Sequence, residues 1–235
     1  MNTTRVFSDK QMLAQHFGRV LLNRTQKSDK VTIALSGGST PKAIFEELAA
    51  EYANEIDWTK VFLFWGDERC VPPTDEESNY LMTKTHLLNK VTIPEVNVFR
   101  VKGELNIDAA VEDYQKVLLA ELPQSNGLPQ FDLMILGMGD DGHTASVFPY
   151  QINLWDKPEV CVAAQHPESK QNRVSLTGGV INNAKEIFFL VTGSNKADKL
   201  SEILNKKEGY KQYPAALVDK PTWLLDSAAA AKLQE

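Results

Sequence analysis

The chain has 235 residues, 43% of them hydrophobic and 24% charged, with a formal net charge of -6. That is enough apolar material for a sizeable core, and it supplies no broad basic field of the kind that nucleic acid or an anionic membrane surface calls for. No run approaches the roughly 18 apolar residues of a membrane span, and the first residues carry no apolar core of leader length. Two cysteines, Cys70 and Cys161, are too few for a disulfide framework and fit a reducing compartment as free thiols. A cytoplasmic protein is expected, one domain over residues 1–235, monomeric or weakly self-associating. An anionic ligand would need a cationic pocket built locally.

In chain order, Leu13, Phe17, Val20 and Leu21 fall on one face of an amphipathic helix with Ser8 as its N-cap. Val31–Leu35 reads as a buried strand. It runs into Ser36-Gly-Gly-Ser-Thr-Pro41, where Pro41 suits the first turn of a helix reaching Tyr52. In that loop Gly37 and Gly38 let backbone approach a ligand, Ser39 and Thr40 add hydroxyls, and the helix start offers free N–H groups to an anion. The spacing is neither that of a Walker A loop nor that of a nucleophile elbow.

Val61–Trp65 is a second strand, followed at once by Gly66-Asp-Glu-Arg69. Three charges at the end of an apolar strand are costly unless they pair with each other or with a ligand, and Arg69 can offer a bidentate fork to phosphate or carboxylate. Ile107, Val111, Tyr114 and Leu118 recur at helical spacing. Phe131–Leu136 is a third strand, leading into Gly137-Met-Gly-Asp-Asp-Gly-His143. Its glycines match G-x-G-x-x-G, yet Asp140 and Asp141 would put carboxylates where a pyrophosphate sits. Pro149 also follows too soon for the long helix which that fingerprint opens. What remains is an acidic turn delivering His143, a residue type suited to general base work near neutral pH.

Arg173 precedes the Val174–Leu176 run, and Ile187–Val191 is a fourth strand ahead of Thr192-Gly-Ser-Asn-Lys-Ala197. With Ser194 or Asn195 as N-cap, Lys196 would lie in a first helical turn, against the helix dipole, as though an anion completed the site. Thr222–Leu225 reads as a last strand, with Asp226 capping a short alanine-rich helix. His16, His86 and His166 are scattered, and no His/Cys cluster has metal-ligand spacing, so neither metal nor cofactor is expected.

Apolar strands alternating with helices predict an α/β fold: a mainly parallel, Rossmann-like sheet in three α/β/α layers. Ligands of such sheets sit beyond the carboxyl ends of the strands, where these loops would converge. A glycine-rich cradle, two arginines, a lysine and a histidine describe a pocket for a phosphorylated small molecule.

Together, Ser36–Pro41, Trp65–Arg69, Ser78-Asn79-Tyr80, Gly137–Pro149 and Thr192–Ala197 resemble the 6-phosphogluconolactonases, within the superfamily of sugar-phosphate isomerases and deaminases. The resemblance implies hydrolysis of 6-phospho-D-glucono-1,5-lactone to 6-phosphogluconate, with His143 as base for the attacking water. It also implies phosphate binding by Arg69, Arg173 and Lys196, helped by the Gly38–Ser39 loop. Asp141 and Asp67 are both candidates to orient the imidazole. Glucosamine-6-phosphate deaminases share much of the pattern, but they follow Asp-Gly-His with Ile-Ala-Phe-Asn-Glu-Pro, whose glutamate transfers protons. Here Thr144-Ala-Ser-Val-Phe-Pro149 has no glutamate, and Arg69 stands where the deaminases usually have tyrosine.

Overall fold

In the computed structural model, which describes residues 3–233, the apolar runs form one parallel sheet. β1 (Thr3–Phe7), α1 (Lys10–Lys27), β2 (Val31–Leu35), α2 (Ser39–Glu51) and β3 (Val61–Trp65) come first. β4 (Asp67–Arg69), α3 (Asn79–His86) and α4 (Ile107–Glu121) follow, then a small hairpin of β5 (Gln124–Ser125) and β6 (Leu128–Pro129). The second half holds β7 (Leu133–Leu136), β8 (Cys161–Gln165), β9 (Asn172–Leu176) and α5 (Gly178–Asn182). It closes with β10 (Glu186–Val191), α6 (Ala197–Leu204) and β11 (Thr222–Asp226).

The main sheet runs β1-β11-β10-β7-β2-β3, and each pairing is parallel. The crossovers from β1 to β2 and from β2 to β3 move one way across it, and the later ones from β3 to β7, β10 and β11 move back. Because such crossovers are right-handed, α1 and α2 lie on one face, and α4 and α6 on the other. That gives the three layers expected from the alternating pattern. The direction of winding reverses between the adjacent strands β2 and β7, and the crevice at such a reversal is where ligands bind in open α/β sheets.

Burial follows from this layering. β2 and β7 are buried along their whole length, as strands covered on both faces must be. On β10, successive residues face opposite layers. Phe188 meets Phe17 of α1 edge-on, with centroids 5.8 Å apart, while Phe189 stacks on Trp223 of β11 at 4.0 Å. Cys161 is buried and Cys70 half-buried, both free, and burial pushes their thiols up to about 12 and about 11, so neither is a thiolate at neutral pH.

Several local expectations need correction. Asp9, not Ser8, caps α1: its carboxylate accepts from Met12 N–H at 2.9 Å, and the Ser8 hydroxyl donates to Asp9 instead. The third strand starts at Leu133 rather than Phe131, because the Asp132 carboxylate turns to the Thr32 N–H and hydroxyl (2.9 Å each) and to Lys185 (2.8 Å). Asp226 opens only turns, its carboxylate being shared between Ala229 N–H and Gly193 N–H; the last two residues of that segment lie outside the described ones. Lys196 closes a 3-10 turn, Ser194–Lys196, so neither Ser194 nor Asn195 caps a helix there, and α6 begins one residue later.

Several elements escaped the sequence pattern, among them α3, α5 and the β5–β6 hairpin. β1 is an edge strand, mostly exposed, with no apolar alternation to announce it. A second, antiparallel sheet of order β4-β9-β8 grows from the end of β3. Removing the Phe189 ring should leave a cavity beside Trp223. Phe189→Ala is expected to lower the unfolding free energy by about 3–5 kcal/mol, read as an earlier urea midpoint with an unchanged slope.

Candidate active site

β10, β7, β2 and β3 are consecutive in the sheet, and the four polar loops found in the sequence begin at their carboxyl ends. They enclose a cavity of about 240 Å³ walled by Ser36, Asp67, Arg69, His143, Arg173 and Lys196 among others. A second hollow of about 270 Å³ adjoins it along Gly38, Ser39, Thr40 and Thr192, and Lys196 borders both. A larger hollow of about 410 Å³, near Arg5, His16 and Glu186, lies at the opposite edge of the sheet, where β10 begins, away from the winding reversal.

The first loop keeps its helix start open. Gly38 occupies the N-cap of α2 with φ 105°, a conformation an L side chain resists, and no side chain caps the helix. The first N–H groups of α2 therefore stay available to an anion. The Thr40 hydroxyl is 2.7 Å from that of Thr192, joining the first loop to the last.

The histidine loop is shaped around its own ring. Asp141 Oδ1 is 2.6 Å from His143 Nδ1 and accepts from His143 N–H at 3.1 Å. With Nδ1 committed, Nε2 is the nitrogen left for the cavity. A Cβ on Gly139 would collide with the imidazole, so the ring can lie against the backbone only where glycine stands. Phe148 backs the imidazole with ring centroids 4.5 Å apart. Burial pushes the Asp141 carboxyl up, but its hydrogen bonds and attraction to His143 outweigh that and hold it below the usual carboxylate value.

Asp67, the other candidate partner for the imidazole, is engaged elsewhere. Its Oδ2 accepts from the Ser146 hydroxyl at 2.5 Å, and Ser146 N–H in turn donates to Ser175 Oγ at 3.1 Å, all three residues being buried. Ala145 has φ 47° to turn Ser146 inward, a strain of about 1–2 kcal/mol that these buried hydrogen bonds offset.

Arg69 follows β3, as the sequence suggests, but as part of β4, and Arg173, expected just ahead of the Val174–Leu176 run, lies inside β9, so both arginines stand on the second sheet. Arg69 on β4 and Arg173 on β9 are paired in register. Like charges directly opposite are unfavourable, and the Nε of each is buried with no acceptor among the described residues. Burial and the neighbouring Arg69 push the Arg173 guanidinium below its usual value. Outer contacts hold the pair in place: Arg69 donates to Glu77 O, and Arg173 to Gln171 Oε1 at 3.2 Å. Lys196 is answered by Asp140. The structure thus gathers Gly37, Gly38, Ser39, Thr40, Asp67, Arg69, His143, Arg173 and Lys196 around two adjoining hollows, with Asp141 behind the histidine.

Sequence reasoning underused Asn79 and Glu68. Buried Glu68 accepts from the N–H groups of Arg69, Asn79 and Tyr80 (2.8 Å each) and from the Ser78 hydroxyl at 3.2 Å, fastening the loop between β4 and α3. Asn79 then reaches the cavity wall while its amide donates to Asp67 O at 3.0 Å. The signal was the Ser78-Asn79-Tyr80 triplet, whose serine is the N-cap of α3.

A parallel α/β sheet with a histidine and three cations converging at its winding reversal defines a cleft for a small anionic ligand. The chain belongs to the family of glucosamine-6-phosphate isomerases/6-phosphogluconolactonase, whose model matches residues 8–225. A 6-phosphogluconolactonase of Treponema pallidum is 44% identical over 220 residues, covering 94% of this chain and 88% of the relative. A crystal structure of the devB protein superposes with a TM-score of 0.96 at 40% identity, both chains covered in full. The 6-phosphogluconolactonase of Trypanosoma brucei gives a TM-score of 0.87 at 29% identity, covering 100% of this chain and 99% of that one.

Because Asp141 is more acidic folded than unfolded, it contributes stability that is present above its ordinary value of 3.8 and lost as pH falls through the lower folded value. Asp141→Asn should therefore lower the melting temperature at neutral pH and approach the wild type as pH falls through that acid range, seen in melts taken at stepped pH.

Proposed function

We propose that this chain hydrolyses 6-phospho-D-glucono-1,5-lactone to 6-phospho-D-gluconate. The observation that carries the reading is the Arg69–Arg173 pair: two guanidinium groups in register, each with an unanswered buried Nε, beside a histidine whose Nδ1 is held by a carboxylate. Such a pair calls for a dianion, and a phosphate supplies one with several acceptor oxygens. The two 6-phosphogluconolactonases named above fit the same reaction.

In this mechanism Arg69, Arg173, Lys196 and the open N-terminus of α2, with Ser39 and Thr40, bind the phosphate and hold the lactone ring toward His143. Nε2 of neutral His143 takes a proton from water as its oxygen bonds to the lactone carbonyl carbon. The C–O bond to the ring oxygen then breaks, and the imidazolium returns the proton to that oxygen. Asp141 keeps the Nδ1 proton in place and balances the imidazolium while it lasts. A lactone is an activated ester, so the scheme calls on neither a covalent nucleophile nor a metal or organic cofactor. Phosphate binding, remote from the reacting carbon, supplies energy for positioning.

The deaminase alternative fares worse at one residue. Counting back from Pro149, the position of the deaminase glutamate is held by Phe148, which is buried and packed on His143. An apolar ring there offers no proton for opening a sugar. The same reading takes residues 1–235 as one domain, since one continuous core surrounds the sheet. A cytoplasmic, monomeric or weakly associating enzyme fits it; among the described residues no helix is long and apolar enough to cross a membrane.

The test is hydrolysis of freshly prepared lactone, coupled to a dehydrogenase that consumes 6-phosphogluconate, with the spontaneous rate subtracted. His143→Ala should lower kcat by about 10²–10⁴-fold. Arg173→Ala should raise KM by roughly 10-fold or more, about what one charged hydrogen-bonding group contributes, with a smaller effect on kcat. Wild-type protein no faster than background, or full turnover in His143→Ala, would reject the scheme.

A further inference from the structure

Asp140 sits on the histidine loop, yet its carboxylate is committed to the loop across the cavity. Oδ1 lies 2.6 Å from Lys196 Nζ and accepts from Asn195 Nδ2 at 2.9 Å. The backbone of that loop is fixed without it. Gly193 N–H donates to both oxygens of Asp226, at 3.0 Å each, and the Thr192 hydroxyl meets that of Thr40. What those contacts leave loose is the long side chain of Lys196.

Exposure separates the two partners. The Lys196 side chain is 21% exposed and borders both hollows, whereas that of Asp140 is 70% exposed and borders neither. The carboxylate therefore holds the ammonium from the solvent side. An ammonium has three N–H donors; one is taken by Asp140, and two remain for a ligand in the cavity.

We propose that Asp140 is a positioning residue, a tether that fixes the Lys196 ammonium in the cavity wall before the substrate phosphate arrives. The proposal rests on Lys196 being a phosphate ligand, as set out above. Lysine loses several rotatable bonds of freedom when its head is pinned, and the tether moves that loss from the binding step to the folding step. A lysine without the tether would bind the same phosphate in the same place, but more weakly. Because His143 is oriented by Asp141 and not by Asp140, the chemical step should be unaffected.

Calorimetric titration of the full chain with 6-phosphogluconate, run beside the coupled lactone assay, tests this. Asp140→Ala should weaken binding and raise KM by about 3- to 10-fold, the usual worth of ordering one long side chain, with kcat within about twofold. Asp140→Asn keeps an oxygen where Asn195 and Lys196 donate, and should recover most of the loss. Tighter binding in both variants would overturn the tether and make Asp140 a competitor of the phosphate. Binding unchanged in both, or a fall in kcat at constant KM, would overturn it as well. Wild-type protein that neither binds 6-phosphogluconate nor opens the lactone would overturn the phosphate-site reading and the tether with it. Binding by wild type that Asp140→Ala matches would remove the tether alone.

Discussion

The site depends first on a topological constraint, the reversal of winding between β2 and β7. Two adjacent parallel strands whose connections leave in opposite directions cannot cover the gap beyond their ends, so a crevice stays open there. The groups of the proposed site border that gap. β2 supplies the uncapped start of α2, β7 supplies the histidine turn, and the flanking strands β10 and β3 supply a lysine loop and an aspartate. A sheet wound in one direction throughout would carry the same four loops apart.

Charge arrangement in the crevice is deliberate in both signs. Arg69 and Arg173 face each other across two antiparallel strands, and burial without an acceptor for Nε makes the pair less comfortable still. On the other side of the cavity, carboxylates answer the remaining basic groups: Asp141 the imidazole, Asp140 the lysine. Asp67 is held by Ser146 in a buried network of its own. The protein thus carries an acidic overall balance and still offers a ligand two guanidinium groups with no carboxylate partner among the described residues, because nearby acids are committed to other partners.

Much of this was legible in the sequence, for identifiable reasons. Continuous apolar runs such as Val31–Leu35 and Val61–Trp65 admit few alternatives to strands buried on both faces, and the polar loops after them had to lie at one sheet edge. His143 stood out because a turn rich in glycine and aspartate has little other use for an imidazole. What stayed hidden depended on partners far along the chain. β1 is a strand only because β11 lies beside it, and its exposed residues show no alternation. β4 and β9 are short, and their register, which brings the arginines together, is written in neither segment alone. Asp132, Asp67 and Asp226 each have one sequence but two potential roles, and only the three-dimensional neighbour decides. The choice between Asp67 and Asp141 as the imidazole's partner was of this kind.

The position of β11 bears on how the molecule comes into being. Among the described residues β1 pairs only with this last strand, which slots between β1 and β10. β1 must therefore wait, unpaired, until the residues of β11 have left the ribosome. The same late strand carries Asp226, which ties down Gly193 ahead of Lys196. Closing the sheet and fastening the Lys196 loop thus draw on the same strand, through contacts distant in sequence, a kind that is slow to form. A nascent chain cut short before β11 would hold its histidine turn and still lack the finished pocket.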